Sequence, residues 1–283
     1  MQARFGHYDD HVGEISLRAP EGVAVAAGWA DIIGARLAGY RKIVRMEHGI
    51  GQSYSNRSPG YPGGKGHEEV GLFLTPNEHA AERWRECYPM ARVEVVGSPR
   101  LDRLPVRLPP ASGSVIAFAF HFDLYLCPET RSALPWFREA IGLVKQRWAV
   151  IGSGHPRRTD LERVYAKEGV PFVPRFDDVC RQADVLVGDN TSVLYEFAST
   201  GRPVVVLNAP VYRRDVRHGL RFWDASQVGV LVDDPKGVPD AVARALELWP
   251  EDVAAREAAL DIVYGFRSGG TERALAAISD WAA

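Results

Sequence analysis

Three stretches of the chain gather side chains able to move protons and hold anions. Glu47-His48-Gly49-Ile50-Gly51-Gln52-Ser53 follows the strand candidate Ile43–Met46, Gly152-Ser153-Gly154-His155-Pro156-Arg157-Arg158 follows the apolar run Trp148–Ile151, and Gly188-Asp189-Asn190-Thr191-Ser192 follows the apolar run Val185-Leu186-Val187. Each begins where a short strand-like run stops, which reads as the carboxyl end of a buried strand. An imidazole held there is suited to proton transfer near neutral pH, and His48 is the candidate general base. Gly49 lets the backbone come close to a ligand. Around His155, backbone N–H groups near Ser153 and the guanidinium of Arg157 can hold phosphate oxygens. The plainer alternative is a helix lead-in with solvated arginines.

The third stretch opens a helix. Asn190 and Thr191 are good cap residues, and Ser192–Thr200 carries Val193, Leu194 and Phe197 at helical spacing before Gly201 and Pro203 stop it. Amides at a helix start, at the positive end of its dipole, favour an anion, and a diphosphate suits Asp189, Asn190, Thr191 and Ser192. Glu196 lies one turn after Ser192 with its side chain leaning back toward the helix start, where it can accept bonds from a ribose. The alternative is a capped helix with a solvated acid. Further on, Asn208–Trp223 concentrates Arg213, Arg214, Arg217, His218 and Arg221. Beside an anion site this points to phosphate contacts from Arg217; elsewhere it is a solvated face.

The elements that position these loops alternate. The pattern predicts strands at 22–27, 43–46, 71–75 and 93–96 with helices at 29–40 and 78–88. A second series follows, with strands at 115–120, 148–151, near 172, 185–187, 203–207 and 228–232, and helices at 131–147, 160–168, 192–200, 238–249, 251–264 and 271–281. Such alternation is the mark of an α/β layer fold. Arg103–Gly113, with Pro105, Pro109 and Pro110, is the linker candidate. It separates a Rossmann-like domain over 1–108, on the acceptor side, from a Rossmann-like nucleotide-diphosphate-binding domain over 109–283, whose last helix can pack back on the first. Two such domains facing across a cleft offer their strand ends to a ligand.

Composition removes several classes. With 283 residues, 46% hydrophobic and 25% charged, the chain is globular, and a formal charge of −2 gives no broad field for nucleic acid. Cys87, Cys127 and Cys180 are far apart without metal-binding spacing and read as reduced thiols, so no metal site is expected. No run approaches the roughly 20 apolar residues of a membrane span, residues 1–14 lack the apolar core of a signal peptide, and the cytoplasm is the expected location. No GxSxG, GxxxxGK[ST] or GxGxxG motif occurs. Transfer from a nucleotide-diphosphate donor then fits best, with His48 deprotonating an acceptor hydroxyl and N–H donors stabilising the leaving phosphate.

Taken in order, these residues resemble the CDP-glycerol glycerophosphotransferase family, the teichoic-acid polymerases and primases of GT-B architecture. His48-Gly49 is similar to the family's His-Gly loop, and Gly97-Ser98-Pro99-Arg100-Leu101-Asp102 to its Gly-x-Pro-Arg-x-Asp turn. Asp189-Asn190-Thr191-Ser192-Val193 with Tyr195-Glu196-Phe197 resembles its longest motif. Arg217-His218-Gly219 through Trp223-Asp224 resembles its Arg-Gly-x-x-x-Asp loop, and Gly269-Gly270-Thr271-Glu272-Arg273 its closing Gly-x-x-x-x-Arg helix. The resemblance implies a catalytic histidine at His48, a second at His155 or His121, and nucleotide-diphosphate and ribose contacts from Ser192 and Glu196. Ala119-Phe120-His121-Phe122-Asp123 departs from the family's Pro-Thr-aromatic-Arg, and Asn190 stands where the family has Tyr.

The resulting expectation is a metal-independent GT-B transferase that moves a glycosyl or glycerophosphoryl group from a CDP- or UDP-linked donor to an acceptor hydroxyl, with no separate cofactor. The acceptor is open among a small molecule, a lipid-linked glycan reached by peripheral membrane contact, and a modified DNA base. Two alternatives stand beside it: a non-hydrolysing UDP-sugar 2-epimerase, and a nucleotide-sugar binding protein without turnover.

Overall fold

The computed structural model describes residues 22–47, 67–105, 113–123, 131–189, 191–212 and 228–283. His48, Gly49, Asn190 and Arg217 lie outside them. The elements run β1 (Val23–Ala26), α1 (Trp29–Leu37), β2 (Lys42–Met46), β3 (Val70–Thr75), α2 (Glu78–Cys87), β4 (Arg92–Val95), β5 (Val115–Phe120), α3 (Leu134–Lys145) and β6 (Ala149–Gly154). They continue with α4 (Leu161–Lys167), α5 (Phe176–Gln182), β7 (Val185–Gly188), α6 (Val193–Ala198), β8 (Val204–Leu207), β9 (Val230–Val232), α7 (Val238–Glu247), α8 (Pro250–Val263) and α9 (Gly270–Ala282). The chain divides into two compact units, 1–103 joined by 261–283, and 104–260. The terminal segment, α9 included, therefore belongs to the first unit.

In the first unit the strands pair in parallel in the order β1-β2-β3-β4. Side chains alternate between the two faces, so both must be covered. Ala24, Ala26, Ile43 and Phe73 pack with Ile32 of α1 and Trp84 of α2, while Val44, Leu72 and Leu74 pack with Ala274 and Ile278 of α9. Without its last helix, half of this sheet would lose its cover.

That helix is held by a clasp. The Asp102 carboxylate accepts the amides of Gly270 at 3.3 Å and Thr271 at 2.7 Å, filling donors that a helix start leaves open. Arg273 donates to the Val96 carbonyl at 3.1 Å and lies 3.9 Å over the Phe266 ring. A Cβ on Gly270 would stand 2.7 Å from the Ser98 carbonyl carbon, and Gly97 sits at φ +76°, so both positions call for glycine. The 97–102 turn and the 269–273 helix start, separate motifs in the sequence, are thus two halves of one joint. Burial pushes the Asp102 carboxyl up, but the bonds from Thr271 and Gly270 outweigh it and hold it below the usual carboxylate range.

The second unit carries a parallel sheet in the order β6-β5-β7-β8-β9. Ile116, Phe118 and Phe120 of β5 pack with Phe137, Ile141 and Val144 of α3 and with Tyr165 of α4. The glycines of β6 let α4 lie close, since a Cβ at Gly152 would fall 2.3 Å from the Tyr165 ring and one at Gly154 would fall 2.1 Å from Leu161. The strand expected near Phe172 is a single parallel bridge to Gly152. Helix α5 has no counterpart in the sequence reading, although Phe176, Val179 and Cys180 bury one of its sides. Among the described residues Cys87 and Cys180 are free thiols, and no helix is long and apolar enough to cross a membrane.

Replacing Asp102 by Ala is expected to cost about 1 kcal/mol, the usual worth of a cap, and to speed hydrogen exchange in the first turn of α9. The folded carboxyl lies below its unfolded value of about 3.9. Its contribution is therefore present above that pH and lost as pH falls through the folded value. Exchange across α9 that is the same in Asp102→Ala and the parent would show that the clasp carries no load.

Candidate functional site

Strand β5 opens the second unit, and β6 and β7 lie on either side of it, so the connection reverses direction there. In open parallel sheets the crevice beyond the carboxyl ends of the strands at such a reversal is where ligands bind. His121 follows β5, His155 follows β6 and Asp189 follows β7. The three sequence features are therefore neighbours across the reversal point.

Asp189 holds the arrangement together. The residue is 1% exposed, and its Oδ1 accepts the His121 amide at 2.8 Å while Oδ2 accepts the Ala133 amide at 2.8 Å and the Ser132 hydroxyl at 3.2 Å. The sequence reading gives this carboxylate to a ligand. The structure instead turns it inward to join β7, β5 and the lead-in to α3, so Asp189 positions the site. Next to it, Asp123 accepts Nε and Nη2 of Arg131 at 2.7 and 3.3 Å and the Ser132 amide at 3.1 Å. The hydrogen bond from Arg131 holds the Asp123 carboxyl below its usual range against the opposing effect of burial.

The two histidines meet, with ring centroids 5.0 Å apart and planes at 63°. Phe122 contacts both, at 4.4 Å from His121 and 4.5 Å from His155. Nδ1 of His121 lies 2.8 Å from the Phe122 carbonyl, which only accepts, so Nδ1 carries the proton and the neutral ring has its lone pair at Nε2. His155 is the reverse. Its Nδ1 accepts the Arg157 amide at 3.1 Å, placing the lone pair there and the proton of the neutral ring on Nε2. One ring thus presents an acceptor and the other a donor. The guanidinium of Arg157 lies 5.4 Å from the Phe122 ring, whereas Arg158 is engaged by Asp160 at 2.6 and 3.2 Å. That pairing pulls the Asp160 carboxyl below its usual range.

Several expected ligand groups are differently placed. Ser153 is 3% exposed inside β6, with its carbonyl 2.9 Å from the Tyr165 hydroxyl. The amides of Gly152 and His155 bond to the carbonyls of Pro171 at 2.8 Å and Phe120 at 3.0 Å. The backbone there serves the sheet, which displaces the phosphate-cradle reading of this loop; His155 and Arg157 keep their side chains at the edge. Thr191 is buried and its amide turns onto the Asp189 carbonyl at 2.7 Å, while the Ser192 and Val193 amides meet no acceptor among the described residues. Glu196, in α6, is 9% exposed. The sequence reading missed Phe122, Ser132 and Tyr165. An aromatic between two strand-end histidines was a legible signal for the first; the other two are visible only once distant segments meet.

No family model matches the chain, and no curated protein does. Solved structures do. The wall teichoic acid polymerase TagF aligns with a TM-score of 0.62 at 14% identity over 86% of this chain and 68% of that one. The fold is GT-B-like. The UDP-GlcNAc 2-epimerase from Neisseria meningitidis bound to UDP-GlcNAc gives 0.59 at 14% identity over 91% and 75%, and MnaA of S. aureus with UDP gives 0.57 at 16% over 92% and 74%. At such identities the likeness speaks for the architecture, two parallel-sheet α/β units.

Changing Asp189 to Ala would leave two amides and a hydroxyl without their acceptor and is expected to cost about 3 kcal/mol or more, read as a lower urea midpoint. A midpoint within error of the parent would remove Asp189 from its positioning role. Tyr165 offers a pH test. Burial, with the Asp189 charge second, pushes its phenol well above the ordinary range. The unfolded phenol ionises near pH 10 while the folded one stays protonated, so this stability is complete below that pH and lost as pH rises above it. Tyr165→Phe should remove that part of the alkaline loss; an unaltered profile would contradict the assignment.

Proposed function

We propose that the chain is a transferase that moves a glycosyl or glycerophosphoryl group from a nucleotide-diphosphate donor to an acceptor hydroxyl, with the donor's phosphates at the β5–β6–β7 edge. The observation that carries this reading is the histidine pair held in opposite tautomers at a sheet-reversal point. A diphosphate leaving group gathers negative charge as its bond breaks, and donors already aimed at it lower that barrier without reorganising. His155 supplies such a donor at Nε2 after β6, with Arg157 two residues on, and the Ser192 and Val193 amides follow β7. His121 presents a lone pair at Nε2 that can accept a hydrogen bond from a hydroxyl of the donor. His48 is retained as the base that activates the acceptor, Glu196 as a ribose contact and Arg217 as a phosphate contact. CDP and UDP are the proposed nucleotides.

A second reading is favoured by the likeness to the UDP-GlcNAc 2-epimerase from Neisseria meningitidis. It shares the diphosphate site and differs in the reaction, which would invert the sugar at C2 and need no acceptor.

A thermal-shift panel of CDP, UDP, GDP and TDP separates binding from chance, because a preferred ligand at about 100 times its Kd adds about 2.7 kcal/mol to the folded state. CDP or UDP is expected to raise the melting temperature of the parent, and His155→Ala to lose most of that rise. With a donor and a hydroxyl acceptor, His155→Ala and His48→Ala are each expected to lower turnover by about 10²-fold or more, and chelation of divalent metal to leave it unchanged. No shift with any of the four diphosphates, or equal shifts in parent and His155→Ala, would overturn the proposed site. C2 inversion of UDP-GlcNAc in the absence of acceptor would replace transfer by epimerisation, and activity abolished by chelation would replace the N–H donors by a metal ion.

A further inference from the structure

Strand β2 reads Lys42-Ile43-Val44-Arg45-Met46 and carries one guanidinium among its apolar residues. Arg45 shares the face of Ile43, toward α1 and α2, and is 6% exposed. Its charge centre lies 5.2 Å from the ring of the fully buried Trp84. Arg45 Nε and Nη1 are shut off from solvent and meet no acceptor among the described residues. The nearby acid does not reach it: Glu47, two positions on, takes the Trp84 indole N–H at 3.2 Å through Oε1. Buried His67 stands edge-on to Trp84 at 5.2 Å, with Nδ1 3.4 Å from the Tyr88 hydroxyl. Burial, then the charge of Glu68, pushes the Tyr88 phenol up, so it supplies no anion near neutral pH.

A guanidinium taken out of water needs acceptors for its N–H groups. An indole face returns only part of what desolvation removes. The planar fork of N–H groups is matched by an oxyanion, a phosphoryl or carboxylate group that bonds to two of them at once. We propose that Arg45 is the centre of an oxyanion-binding site in the first unit, with Trp84 beside it. This site lies on other elements than the histidine pair and does not rest on the nucleotide-diphosphate reading.

The test uses the full chain in phosphate-free buffer, titrated with inorganic phosphate and in a second arm with acetate, while arginine Nε–H signals are followed by NMR. Arg45→Lys identifies the Arg45 signal by its absence. That signal is expected to move along a saturating curve, and Arg45→Met to weaken phosphate binding by about tenfold or more. A response to phosphate alone assigns a phosphoryl ligand, and a response to both anions assigns a carboxylate as well. Arg45→Met is also expected to melt at or above the parent in the absence of phosphate, since it removes a buried guanidinium whose Nε and Nη1 meet no acceptor among the described residues. An Arg45 signal that no concentration of either anion moves would overturn the proposal and make Arg45 a structural cation. That measurement on the parent decides the matter even if the methionine variant does not fold. His155→Ala is expected to keep the Arg45 response, so the two sites fail separately.

Discussion

A carboxylate removed from water is tolerated only when its oxygens are filled by donors, and Asp189 meets that condition by drawing in groups from far along the chain. The amide it takes from His121 belongs to the residue that follows β5, and the pair it takes from Ser132 and Ala133 leads into α3. Each bond requires the others, because a single unfilled oxygen this deep would cost more than a hydrogen bond returns. The ends of three segments are thereby set at one depth. The orientation of His121 follows, since its backbone is held from one side by this acid while its ring is held by its own neighbour's carbonyl. The chemistry proposed for the sheet edge depends on a group that does none.

The same division of labour explains two other stretches. Gly152 and Gly154 look like a phosphate loop, yet their missing side chains make room for Tyr165 and Leu161. The turn at 97–102 and the helix start at 269–273 carry much of the family resemblance, and in the structure they join each other. A recurring pattern can persist because a fold needs it as readily as because a substrate does.

Most of the architecture was legible. Continuous apolar runs such as Val115–Phe120 leave little choice but a strand covered on both faces, and the spacing in Val238–Glu247 leaves little but a helix. Helix α5 was less so, since its seven residues offer barely two turns of pattern. At the candidate site, the sequence picked out loops at strand ends, and it did not foresee that Asp189 and Ser153 bond within the fold. Asp189 and Ser153 are polar residues at strand ends, and nothing local says whether such a group faces outward or is needed within. The tautomers of His121 and His155 are set by one carbonyl and one amide that only the folded backbone brings into range. Arg45 was passed over within a strand assignment, although a charge between Val44 and Met46 is where an apolar pattern breaks without a turn to excuse it.

The first unit is assembled from both ends of the chain. Among the described residues its strands all lie before Val96, but the helix that covers one face and the joint that fastens it come from 261–283. During synthesis on the ribosome the early sheet must therefore wait, half covered, while the whole of the second unit emerges and can fold ahead of it. A polypeptide cut short before α9 would leave the Val44, Leu72 and Leu74 side of its early strands open to chaperones and proteases.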